Sequence, residues 1–182
     1  MLSSLKRLLN PRATSRGTIE AIYGMIVAQA REPLFYQAFS VPDTVDGRFD
    51  MVVLHLWLVL RRLRQVPGGA GLSQALFDCF CSDMDANLRE MGVGDLTVPK
   101  RMQKFGEAFY GRTVAYDAAS ADPVALRAAL ARNVLNSADP DRAAALAAYV
   151  ETAAAALGAV SGADIAAGTL RFPAPKPQGG LP

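Results

Sequence analysis

The sequence predicts an all-α protein, a single-domain bundle of about six to eight helices with a C-terminal helical hairpin. Apolar residues recur three and four apart from Thr18 to Leu157, the pattern of helices with a buried face. Breakers such as Pro67-Gly68-Gly69 and Gly92-Val93-Gly94 fall between these runs rather than inside them. No alternating strand pattern stands beside a turn signal.

The elements follow in order. Thr18 reads as an N-cap, with Ile19, Ile22, Tyr23, Ile26 and Ala30 on one face. Pro33 restarts the chain into a short apolar piece, Leu34 to Phe39, and Val41-Pro42-Asp43 is a loop. The next helix runs from about Asp46 to Val66, followed by one from Leu72 to Met91. Another begins near Thr97, with Pro99 tolerated in its first turn, and continues to about Asp117. Asp122-Pro123 and Asp139-Pro140 each open a helix, and the two form the hairpin. These readings divide the chain into a basic segment 1–17, a helical domain 18–170 and a Pro/Gly-rich tail 171–182 expected to be disordered.

With 182 residues and 19.3 kDa, the chain is one domain that buries roughly 70% of its unfolded surface. A net charge of +2 is too small to indicate nucleic acid as a ligand. The mixture of Phe105, Phe109 and Tyr110 with Lys100, Arg101 and Lys104 reads as a solvated basic face over a core stripe. Cys79 and Cys81 stand two apart, on different sides of a helix, so neither a disulfide framework nor a cysteine metal site is expected. His55 is the sole histidine, which removes multi-histidine metal sites and weakens any catalytic triad. Asp83-x-Asp85-x-Asn87 lacks the glycine and the final glutamate of a calcium loop. No metal or cofactor is expected, and no catalytic residue.

The first nineteen residues contain no acid, and Lys6, Arg7, Arg12 and Arg16 give them +4. Leu2, Leu5 and Leu9 recur at helical spacing, which suits contact with an anionic membrane surface through Lys6, Arg7 and Arg12. A transit peptide and a frayed terminal turn are the other readings. The longest apolar run, Met51 to Leu60, is 10 residues interrupted by His55. As a helix it spans about 15 Å, half of a bilayer core. It is apolar on nearly every face, so it is either a central core helix or a helix that offers one side to a partner. In the second case Met51, Leu54, His55, Leu58 and Arg62 form a client-binding groove. Asp83 and Arg112 fall within the apolar stripes of their helices and are expected to meet as a buried structural pair.

Four segments carry a family resemblance: FDMVVLHLWLVLRRLR (49–64), FCSDMDANLREMGVGD (80–95), VPKRM (98–102) and FYGRTVAY (109–116). Together they resemble the ubiquinol–cytochrome c chaperone family, over about Thr18 to Asn136. The resemblance implies a non-enzymatic role in assembly of the cytochrome bc1 complex, with newly synthesised cytochrome b as the client. It also implies a small partner protein and, in a bacterium, work at the cytoplasmic face of the inner membrane; in a eukaryote the place is the mitochondrial matrix. A composition rich in Ala, Arg and Gly favours the bacterial setting. Two other classes remain open: a peripheral helical module for haem, quinone or lipid, and a small helical enzyme built on Asp83 and Arg112.

Overall fold

A computed structural model describes residues 16–176, and these contain helices and no strand. Helix α1 is Arg16–Ala30, α2 Pro33–Ala38, α3 Val45–Arg64, α4 Gly69–Glu90 and α5 Val98–Ala119. Helix α6 is Pro123–Val134, a 3-10 turn covers Pro140–Ala143, α7 is Ala144–Ala159 and α8 Gly162–Ala166. The basic segment 1–15, with Lys6, Arg7 and Arg12, and residues 177–182 lie outside the described residues.

Helix α3 is the axis of the bundle. Helices α1, α4, α5, α6 and α7 all pack against it, and every residue from Asp50 to Val59 is buried. Its ends match its dipole, with Asp46 in the first turn and Arg61, Arg62 and Arg64 in the last. Thr44 caps it by accepting the Gly47 N–H at 3.1 Å. Gly47 is required there, because a Cβ would lie 2.0 Å from the Pro42 carbonyl oxygen. Asp122 and Asp139 cap α6 and the 3-10 turn, accepting from Val124 and Asp141, and the proline after each starts the helical geometry without needing an N–H partner. The hairpin is thus as expected, except that its second arm begins as a 3-10 turn.

Two expectations are revised, and one short helix is added. Thr18 lies inside α1, which already includes Arg16. Helix α8, five residues capped by Ser161, is too short to show a period in sequence. The tail is ordered where it is described: Phe172 packs on the core, Pro175 is buried, and Gln29 Nε2 donates to the Pro173 carbonyl at 3.1 Å. Prolines lack the N–H whose burial would cost most, so a proline-rich strap lies on a core without secondary structure.

Candidate functional site

Met51, Leu54, His55 and Leu58 are all buried, so they form no open apolar groove; Leu58 and Arg62 only border a small recess of about 120 Å³ with Arg61 and Gln65. Helix α7 and the strap 171–176 cover the side of α3 that periodicity left without a partner. Arg62 is spent within the fold, its Nη2 donating to the Val160 carbonyl at 2.7 Å just past α7. An all-round apolar helix states that it is covered on every side, not by what.

His55 is the centre of a polar joint. Its Nδ1–H donates to the Met51 carbonyl at 2.7 Å, which leaves Nε2 to accept the Tyr149 hydroxyl at 2.8 Å. Gln29 Nε2 donates to the Tyr149 oxygen at 3.0 Å, so α1, α3 and α7 meet in one network. Burial lowers the imidazole pKa to about 4 against the Met51 hydrogen bond, and raises that of the Tyr149 phenol. Phe35 and Phe172 stand edge-on to the ring at 5.5 and 5.1 Å. His55 is neutral, enclosed and fully engaged, which is a structural role.

The expected Asp83–Arg112 pair does not form. Asp83 accepts the Tyr23 hydroxyl at 2.8 Å, joining α4 to α1, and burial together with Asp83 drives the Tyr23 pKa upward. Arg112 instead pairs with Asp50, Nε to Oδ1 at 2.6 Å, and lies 5.7 Å from the Phe49 ring centre. Asp50 is 2% exposed, and burial, opposed by Arg112, sets its pKa at about 6. The nearby Tyr116 phenol is raised by burial and by Asp50. Arg112 is half-buried, and the carboxylate it meets is Asp50 rather than the expected Asp83. The available signal for Asp50 was its place one turn before Leu54 on a helix with no polar face.

The open apolar surface lies at the other end of α3. There the last turns of α3, the first turns of α4 and the middle of α5 enclose a cavity of about 590 Å³, lined mainly by Leu60, Leu63, Val66, Phe77 and Phe109. Its aromatic lining is Phe77 with Phe109, 5.1 Å apart, and behind them the buried Phe80 lies 5.5 Å from Phe109. Phe80 continues to Phe49 at 6.1 Å and so to the buried ion pair. Gly68 at φ +78° makes the turn, and at Gly69 a Cβ would lie 2.1 Å from the Leu63 carbonyl oxygen, so the corner closes this tightly only with glycine. Arg64 stands at the rim with two bonds to Asp117, 2.7 and 3.0 Å, and Asp117 also accepts the Trp57 indole N–H at 2.8 Å. This corner has shape and hydrophobicity but no set of acid, base and nucleophile. Among the described residues, no group of three or more His, Cys, Asp or Glu side chains is placed to hold a metal ion. Nor is any described helix long and apolar enough to cross a membrane.

A match to the family model described as ubiquinol-cytochrome C chaperone extends over residues 37–172, from the end of α2 to the start of the strap. The chain belongs to the ubiquinol-cytochrome C chaperone family. The crystal structure of the Cbp3 homolog from Brucella abortus is similar to this chain at 39% identity and a TM-score of 0.80, covering 94% of this chain and 96% of that one. The ubiquinol-cytochrome-c reductase complex assembly factor 1 of Xenopus laevis is 31% identical over 136 residues, 72% of this chain and 68% of that protein. The mouse protein of the same name is 29% identical over 72% of this chain. This chain matches only 46% of the mouse protein's length, and 45% of the human one. The matched span contains the Asp50–Arg112 pair, the His55–Tyr149 hydrogen bond and the whole apolar corner.

Proposed function

We propose that the protein is a non-enzymatic assembly chaperone of the cytochrome bc1 complex, and that it shields an apolar segment of newly made cytochrome b. The family match over residues 37–172 carries this reading, and the apolar corner supplies a place for the client. A transmembrane helix awaiting assembly exposes side chains with no polar partner. Phe77, Phe109, Leu60 and Val66 offer such a helix an apolar seat, in the manner of a helix laid in a groove. The site of action is the cytoplasmic face of a bacterial inner membrane. The basic N-terminal residues Lys6, Arg7 and Arg12 serve contact with that membrane, and a small partner protein accompanies the client.

Complementation tests the reading. In cells lacking the gene, the unaltered chain restores the spectroscopic cytochrome b signal and quinol–cytochrome c reductase activity. Phe77→Asp, a charge placed on a partly exposed wall of the corner, is expected to fold and to leave that signal at least about tenfold lower, because an ionised carboxylate in the seat strongly disfavours an apolar helix. Full restoration by a folded Phe77→Asp protein would remove the corner as the client site. Normal bc1 levels in the deleted cells would remove the function.

A further inference from the structure

The connection between α4 and α5 forms a tip in which apolar and cationic side chains stand together in water. Leu96 is 98% exposed and Met91 56%. Exposure of this kind is usual on a floppy loop, but this loop is held. Gly92, at φ +78°, ends α4, and the Val93 N–H bonds to Leu88 O at 3.0 Å. The Thr97 N–H bonds to Gly94 O at 2.8 Å, and Arg89 grips both Asp85 and Asp95. Asp95, the one carboxylate between Met91 and Phe105, is therefore drawn toward α4 by Arg89, which it shares with Asp85.

The cations beyond it are not neutralised. Lys100, Arg101 and Lys104 are exposed on the first turns of α5. Among the described residues, no carboxylate is within ion-pair distance of any of them. With Thr97 and Phe105 they border a recess of about 480 Å³ at the positive end of the α5 dipole. Two independent features thus lie within nine residues of one another, a projecting leucine and a cluster of free positive charge.

We propose that this tip docks on an anionic phospholipid bilayer, with Leu96 and Met91 entering the interface and Lys100, Arg101 and Lys104 on lipid phosphates. The convexity of the tip decides between occupants. A protein partner needs a hole matched to Leu96, whereas a fluid interface closes around any projecting apolar side chain. A single-stranded nucleic acid would meet the same charges but would lack a stacking platform in the recess, since Phe105 is already stacked on Phe49 at 5.0 Å. The docking surface is separate from the apolar corner and does not depend on cytochrome b as the client.

The test is flotation of the full chain with vesicles of phosphatidylcholine, with and without phosphatidylglycerol. All proteins carry Lys6→Gln, Arg7→Gln and Arg12→Gln, so that the tip is read apart from the N-terminal cations. The expected result is binding to the anionic vesicles alone, weakened by salt. Lys100→Gln with Lys104→Gln lowers that binding about 30-fold, and Leu96→Ser lowers it about tenfold. Emission from Leu96→Trp shifts to the blue on anionic vesicles, against the constant background of buried Trp57. Circular dichroism checks that each variant is folded. Binding by the folded tip variants equal to that of their parent, or no binding by the parent, overturns the proposal. Displacement of the protein from vesicles by glycerol phosphate also overturns it, since a soluble anion pocket would then explain the charges.

Discussion

Arg112→Met is expected to destabilise the protein by about 3–5 kcal/mol, read from urea unfolding at neutral pH. The substitution keeps much of the side-chain volume but leaves the Asp50 carboxylate buried without the guanidinium 2.6 Å away. The loss should shrink on acidification, because a neutral Asp50 tolerates burial far better than an ionised one. Asp50→Leu in the Arg112→Met background is expected to recover most of the stability, since an apolar pair replaces a buried ionic one. An Arg112→Met protein as stable as the parent would mean that the pair is solvated and not part of the core.

The pH dependence carries a cancellation. Asp50 has a folded pKa of about 6, above its ordinary value of 3.8, so its contribution to stability is present at low pH and is lost as pH rises through about 4 to 6. His55 has a folded pKa of about 4, below its ordinary 6.5, so its contribution is full above pH 6.5 and is lost as pH falls toward 4. The two slopes oppose each other over the shared window. Asp50→Asn removes one of them, so stability of that variant should fall more steeply than the parent's between pH 6 and 4. Parallel profiles would contradict the buried state of Asp50.

The second large effect is at Trp57. Trp57→Ala is expected to cost about 3–5 kcal/mol, the range for removing a large buried aromatic. The ring is 1% exposed, lies 5.2 Å from Tyr116, and carries the Arg61 guanidinium 5.5 Å from its centre. Trp57→Phe separates packing from hydrogen bonding: it keeps an aromatic and deletes the indole donor to Asp117. Because Arg64 continues to hold Asp117, that variant should lose only about 1 kcal/mol plus a small packing deficit. Equal losses for the two variants would show that the Asp117 bond, not the ring, joins α3 to α5.

Helix order was legible in the sequence because the punctuation is local. Asp122-Pro123, Asp139-Pro140 and Pro67-Gly68-Gly69 act within one turn of themselves, and the helices begin and end beside them. The central place of α3 was legible as one of two readings, since a helix apolar on all sides is either enclosed or shared. What covers it was not legible. Phe172 and Tyr149 reach His55 from more than ninety residues away, and no period links them. The partner of Arg112 failed for the same reason. Helical phase places a charge on an inward face but does not say which carboxylate on another helix meets it, so the sequence pointed to Asp83 where the fold supplies Asp50. The apolar corner depends on how closely α3 and α4 approach at Gly69, a distance set by tertiary packing.

The most direct test of the account is site-specific photocrosslinking in cells, with the probe at Phe77 in the apolar corner and a control probe at exposed Glu151 on α7. The expected result is an adduct containing cytochrome b from Phe77 and none from Glu151. Adducts from Glu151 with none from Phe77 would contradict the corner as the client seat, and the absence of cytochrome b from both would contradict its role as the client.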